Sequence, residues 1–258
     1  MIELNRIFNE NCLETMARMP DNSIDFIFTD PPYGHNNNNN GDMASRWEAI
    51  FGGKKDEYIP EKDWRPIAND GVEANDLFKA CVKEWNRILK PGSCCCCCCC
   101  GGGPDPQFAR WSLWMDEAFN GGFKHMVIWD KGPMGMGHHY RRSYETILVA
   151  QKKGDKCKWY AEGKDSENVL RPGMLGIKKI IPQADQHPTE KTEKLAKFFI
   201  YLHSQEGDIV YDPFVGSGST LHAAIVMKRN WIGSEISKEY CELAEKRIKP
   251  YLMQTVLF

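Results

Sequence analysis

Apolar residues follow two different periods along this chain, and the switches between them outline alternating strands and helices. Leu77, Phe78, Cys81, Val82, Trp85, Ile88 and Leu89 recur at helical spacing and stop at Lys90-Pro91-Gly92, where proline and glycine end the pattern. Leu195, Phe198, Phe199 and Leu202 form a second helical stripe, and Tyr240, Leu243, Ala244 and Ile248 a third. Five short runs rich in β-branched and aromatic residues read as strands: Ile24 to Thr29, Lys124 to Asp130, Tyr144 to Ala150, Asp208 to Asp212 and Trp231 to Glu235. Strands separated by helices predict an α/β sandwich around a mostly parallel sheet. No repeat of fixed period is present.

Two low-complexity tracts interrupt this rhythm. Asn36 to Asn40 follows a Pro-Pro-Tyr-Gly turn and precedes a stretch rich in Gly, Asp and Lys; it reads as a loop, because asparagine side chains compete for backbone hydrogen bonds. Cys94 to Cys100, followed by Gly101 to Gly103, comes directly after a helix, where an α/β protein needs a buried strand. Cysteine is small and apolar enough to fill a strand covered on both faces. A metal site fits less well, since successive strand residues point to opposite sides and do not converge on one ion.

At 258 residues the chain suits one substantial α/β domain, expected to span residues 1–258. It has no apolar run near the roughly 18 residues a membrane span needs. The opening Met1-Ile2-Glu3-Leu4-Asn5-Arg6 lacks the basic-then-apolar pattern of a secretory leader, so a cytoplasmic location is expected, and with it reduced cysteines rather than disulfides. Net charge is −2, which excludes a global basic field for attracting nucleic acid. A local one remains: Lys131 to Lys191 carries 12 Lys and Arg against 7 Asp and Glu. Charge alone does not separate a binding patch from a solvated face.

The candidate chemistry lies in two places. Asp208 to Asp212 runs into Pro213-Phe214-Val215-Gly216-Ser217-Gly218-Ser219-Thr220 and then a helix, the strand, glycine turn and helix of a nucleotide-type cofactor site. Gly216 and Gly218 let backbone approach a ligand, and Glu235 ends the next strand 19 residues after Gly216, a spacing that suits a carboxylate accepting from two ribose hydroxyls. A third glycine of the dinucleotide fingerprint is missing, as is the Gly-Lys-Ser/Thr of a phosphate-binding loop. S-adenosylmethionine, which has a ribose and an amino-acid end but no phosphate, fits both absences. The second place is Asp30-Pro31-Pro32-Tyr33-Gly34 at the end of another strand. Its prolines stiffen the turn, Asp30 and the Pro31 carbonyl offer acceptors to a base amine, and Tyr33 offers a flat face to an extruded base. An ordinary proline turn with a capping Asp would use the same residues.

Together, Asp30 to Tyr33 and Phe214 to Gly218 resemble the Asp-Pro-Pro-Tyr and Phe-x-Gly-x-Gly motifs of the DNA amino-methyltransferases, and the resemblance spans nearly the whole chain. The order of the motifs, catalytic first and cofactor last, resembles the family's β arrangement. The resemblance implies a Rossmann-like methyltransferase fold, a three-layer sandwich with a circularly permuted seven-stranded sheet and one antiparallel strand, its hairpin formed by 124–130 and 144–150. It implies cofactor contacts from Asn11 and Cys12, where an Asp is usual in place of Asn11, and from His187, Thr189 and Lys191, followed by Thr192 where proline is frequent. Asp212, Phe214, Gly216, Ser217, Gly218 and Glu235 complete the expected cofactor set, and Asp30, Pro31, Pro32 and Tyr33 the catalytic one. Target recognition is expected in an embedded region, 131–186, where Tyr140, Arg141 and Arg142 belong to a basic patch expected to contact DNA, and His138 and His139 serve as polar contacts or packing rather than as metal ligands.

The expected activity is direct methyl transfer from S-adenosylmethionine to N6 of adenine in a flipped base of double-stranded DNA, without metal and without a covalent cysteine. The Asn36 to Asn40 loop is expected to close over the base. N4 of cytosine is the alternative acceptor. RNA or protein glutamine fits less well, and a catalytically silent DNA-binding module is the rival from another class. A homodimer and a cognate restriction enzyme are both open as partners.

Overall fold

The computed structural model describes residues 2–34, 67–99, 107–132, 143–154, 156–161, 166–171 and 193–254. The Asn36 to Asn40 tract, Cys100, the 138–142 cluster, most of the basic region, and His187, Thr189 and Lys191 lie outside them. In chain order the elements are β1 (Arg6–Phe8), α1 (Cys12–Ala17), β2 (Phe26–Thr29), α2 (Ala74–Ile88), β3 (Cys94–Cys99), α3 (Gln107–Ala118), β4 (Phe123–Asp130), β5 (Tyr144–Gln151), β6 (Val169–Leu170), α4 (Glu193–His203), β7 (Ile209–Asp212), α5 (Ser219–Val226), β8 (Asn230–Ser234) and α6 (Lys238–Gln254).

Among the described residues the strands form one sheet in the order β1-β8-β7-β2-β3-β5-β4-β6. β5 is antiparallel to both its neighbours, and the other pairings are parallel. This is the expected mixed sheet with its hairpin at β4 and β5, but with eight strands where seven were expected. The difference includes Val169–Leu170, a two-residue strand that pairs with Ile128 and Trp129 and is too short to show a period. The strand expected from Ile24 begins at Phe26. Ile24 makes a lone bridge to Leu89, and the buried Asp25 takes hydrogen bonds from Lys90 Nζ at 2.7 Å and Lys158 Nζ at 3.1 Å.

The cysteine run is the centre of the sheet, between β2 and β5, and all six residues of β3 are buried. Alternation sends Cys94, Cys96 and Cys98 into one core with Phe28, Phe199, Leu221 and Ala244, and Cys95, Cys97 and Cys99 into the other with Ile27, Phe78, Trp85 and Trp111. Helices α4, α5 and α6 therefore cover one face, and α1, α2 and α3 the other, giving three layers. Burial pushes the Cys95, Cys96 and Cys97 thiols well above their ordinary range. They stay protonated and act as small apolar side chains rather than as thiolates. No helix among the described residues is long and apolar enough to cross a membrane.

Candidate active site

The connection after β7 leads to β8 on one side, and the connection after β2 leads to β3 on the other. The crevice between the carboxyl ends of β7 and β2 is thus the switch point at which open α/β sheets take ligands. A cavity opens there. Its wall includes Asn11, Cys12, Asp30 to Tyr33, Asp212, Phe214, Gly216, Ser217 and Glu235, so most of the described residues singled out from sequence meet at one place.

On the β7 side the wall is built around the glycine loop. Gly216 and Gly218 have φ of +51° and +83°, a region in which side chains are strained. The Gly216 N–H donates to Glu235 Oε2 at 2.9 Å, and Ser237 N–H donates to Oε1 at 2.9 Å. The spacing of 19 residues is therefore a contact, with the carboxyl held at both oxygens. Burial pushes the Glu235 carboxyl up, although these N–H groups oppose the shift. Arg247 Nη1 reaches Ser217 Oγ at 3.0 Å and Ser219 Oγ at 3.1 Å, tying the loop to α6. Gly218 is not part of the cavity wall: a Cβ there would lie 3.0 Å from Ala244 Cβ, so this glycine lets α6 pack against the loop.

Asp212 joins the two sides. Its Oδ1 accepts from Thr29 Oγ1 of β2 at 2.8 Å and from Phe214 N–H at 3.0 Å. Burial pushes its carboxyl up to about 7, despite those donors and with Asp30 adding to the shift.

On the β2 side, Asp30 is half-buried and Tyr33 only 8% exposed. The Tyr33 hydroxyl donates to Asp30 Oδ1, and its ring sits 6.2 Å from that of Trp111. Burial first, and then the neighbouring Asp30, raise this hydroxyl well above its usual range, so it remains a donor. The ring expected as an open stacking face is packed in this state. Tyr33 N–H and Gly34 N–H both donate to Asp70 Oδ1, at 2.9 and 2.8 Å, and Gln107 Nε2 donates to the Tyr33 carbonyl at 2.7 Å. Asp70, Gln107 and Trp111 were not singled out from sequence. Asn69-Asp70-Gly71 reads only as a turn, and Gln107 stands at the start of a helix whose stripe is blurred by the exposed Leu113.

Asn11 caps α1, its side chain accepting from Leu13 N–H at 3.0 Å. Cys12 is buried beside it, with Sγ 3.6 Å from Cys81 Sγ. Among the described residues no three His, Cys, Asp or Glu side chains are grouped to hold a metal ion.

A family model described as DNA methylase, of the N6/N4 methyltransferases, matches residues 24–246, which contain both sides of this cavity. The chain belongs to that DNA methylase family. It is 27% identical to the Type II methyltransferase M2.DpnII of Streptococcus pneumoniae, over 94% of this chain and 89% of that one. It is 29% identical to the Type II methyltransferase M.HinfI of Haemophilus influenzae, over 95% of this chain and 68% of that one. Among solved structures, the M1.HpyAVI complex with SAM is 25% identical, with a TM-score of 0.57 over 94% of this chain and 98% of that one. The fold also matches that of PvuII DNA methyltransferase, described as cytosine-N4-specific, with a TM-score of 0.63 and 20% identity over 98% of this chain and 93% of that one.

Proposed function

We propose that this DNA methylase transfers a methyl group from S-adenosylmethionine to N6 of adenine in double-stranded DNA, as a cytoplasmic enzyme. The observation that carries the reading is that Asp30 and its proline turn share one cavity with the glycine loop and Glu235. The residues fit the cofactor. Glu235 keeps acceptor capacity beyond the N–H bonds it receives, as a ribose diol needs, and Gly216 lies in the cavity wall. Asn11 and Cys12 stand at the adenine end, and His187, Thr189 and Lys191 are assigned to the methionine end by their resemblance to the family motif.

When bound, S-adenosylmethionine supplies a methyl group on a sulfonium sulfur, which a neutral amine can attack. The chain's own work is to hold and orient that amine. Asp30 and the Pro31 carbonyl accept its two hydrogens, keeping electron density on nitrogen, and Tyr33 moves off Asp30 to stack on the base. The amine must lose one proton once methylated, and Asp30, already the acceptor of one of its hydrogens, is the carboxylate placed to take it. Positioning and preorganised acceptors account for the rate. Adenine is preferred because the Asp-Pro-Pro-Tyr form of the turn is the family's commoner adenine signature. The basic region within 131–186 is assigned to DNA recognition.

The test is incubation of unmethylated plasmid with purified protein and labelled S-adenosylmethionine, followed by nucleoside mass analysis. N6-methyladenine is expected. N4-methylcytosine would change the base and keep the chemistry, and no labelled nucleoside would overturn the reading.

A further inference from the structure

We propose that Asp70, seconded by Gln107, is a positioning residue for the catalytic turn, fixing the backbone on which Asp30, Pro31 and Tyr33 are presented. The kinetic part of this proposal rests on the function proposed above. Pro31 and Pro32 have fixed φ and no N–H, so no hydrogen bond donated by their own backbone can anchor that part of the turn. The first donors beyond them are Tyr33 and Gly34, and both converge on a single oxygen, Asp70 Oδ1. The Tyr33 carbonyl, on the same peptide plane as the Gly34 N–H, is taken by Gln107 Nε2. The peptide planes on the two sides of Tyr33 Cα are thereby pinned from outside, which sets φ and ψ of Tyr33 and hence the direction of its Cα–Cβ bond. From that base the side chain reaches its hydroxyl to Asp30, a contact that rotation about its own bonds releases without moving the turn.

Both pinning side chains are 2% exposed. A carboxyl is costly to bury, and here the cost is offset by two hydrogen bonds to one short turn. The approach is close as well: a Cβ on Gly34 would lie 3.0 Å from the Gly71 carbonyl oxygen. The partners come from the approach to α2 and from the first residue of α3, the elements that cover this face of the sheet. The turn is therefore registered against two helices, while the cofactor loop is held by β8 and α6. A mere loop staple would lower stability when removed, without separating turnover from cofactor binding.

Full-length wild type, Asp70→Ala, Asp70→Asn and Gln107→Leu are compared by amide hydrogen exchange, calorimetric titration with S-adenosylmethionine, and methyl transfer to plasmid at saturating substrate. Asp70→Ala is expected to speed exchange at the Tyr33 and Gly34 amides at least about tenfold and to lower kcat about 100-fold, the scale of a misplaced reacting group. Its cofactor Kd should stay within about threefold. Asp70→Asn keeps an acceptor oxygen and should recover most of both losses. Gln107→Leu should give the same split more weakly, and it decides the question if Asp70→Ala does not fold. Unchanged exchange in Asp70→Ala, or kcat and cofactor affinity falling together without recovery in the Asn variant, would overturn the proposal. A wild type inert on DNA overturns the proposed function instead. The exchange result then decides by itself whether Asp70 pins the turn.

Discussion

The loop at 213–217 and the turn at 30–33 line the same cavity, yet different parts of the chain hold them. The loop is bonded within the consecutive run from β7 to α6: Val215 N–H to the Ser234 carbonyl at 3.1 Å, Gly218 N–H to the Val215 carbonyl at 2.9 Å, Gly216 N–H to Glu235, and Arg247 to Ser217. The turn is bonded by side chains that arrive from 36 to 74 residues away, Asp70 and Gln107. A wall made from consecutive elements is a local property of the sequence. A wall made from remote side chains exists only once the helices have packed. The first should therefore govern cofactor affinity and the second turnover, and substitutions can separate them.

The largest effect is expected from Asp30→Ala, which should lower methyl transfer by at least about 10³-fold, the upper scale for removing one preorganised partner of a reacting group. The cofactor Kd should be nearly unchanged. Glu235→Ala should do the reverse first, weakening cofactor binding by about tenfold to a hundredfold through loss of hydrogen bonds to a carboxylate. Titration calorimetry beside a transfer assay reads both. If Asp30→Ala lost cofactor and turnover together, the division between the two sides would fail.

Asp212 links the two sides, and its carboxyl sits near 7 because it is buried. Between pH 5 and pH 7 the unfolded chain has released this proton while the folded chain still holds it, so the folded state binds more protons and stability falls as pH rises. At about 1.4 kcal/mol per pH unit, the window is worth about 3 kcal/mol. Urea unfolding of wild type and Asp212→Asn should show the difference moving against wild type by that amount from pH 5 to 7, then levelling above 8. A difference that stays flat with pH would mean that Asp212 is ionised in the folded protein throughout.

The same contrast explains what could be read in advance. Phe26 to Thr29, the cysteine run and the strands β4 and β5 were legible because each is a run rich in apolar, β-branched or aromatic residues, whereas the pairing of β4 with β5 as a hairpin came from the family resemblance. β1 and β6, of three and two residues, carry no period at all. Glu235 could be found because loop, helix and strand lengths fix its distance from Gly216. Asp70 could not, since nothing in Asn69-Asp70-Gly71 distinguishes a carboxyl that takes two distant N–H groups from one that merely shapes a turn. The Tyr33 ring was expected to be open, whereas it is packed near Trp111 with its hydroxyl on Asp30, a state set by α3, which was not legible either.

The smallest effect tests the contrast most closely, because it compares two glycines with similar backbone angles. Gly218 has φ +83° and Gly34 φ +74°, so alanine at either position should cost about 1–2 kcal/mol for the left-handed conformation alone. Their surroundings differ. At Gly218 the new Cβ meets Ala244 Cβ at 3.0 Å and Cα at 3.1 Å, in the middle of the 17-residue α6, whose backbone cannot yield without disturbing the core beneath it. At Gly34 it meets the Gly71 carbonyl at 3.0 Å and Ala74 Cβ at 3.3 Å, a loop and the first residue of a helix, which can shift by a few tenths of an ångström. Overpacking against the rigid neighbour adds about 1 kcal/mol or more. Urea unfolding should therefore rank Gly218→Ala below Gly34→Ala in stability by about that amount. Gly34→Ala should nevertheless be the poorer catalyst per folded molecule, because the shift it forces moves the turn that carries Asp30. Equal stabilities would mean that the catalytic turn is enclosed as rigidly as the cofactor loop, and that its dependence on remote side chains makes it no softer.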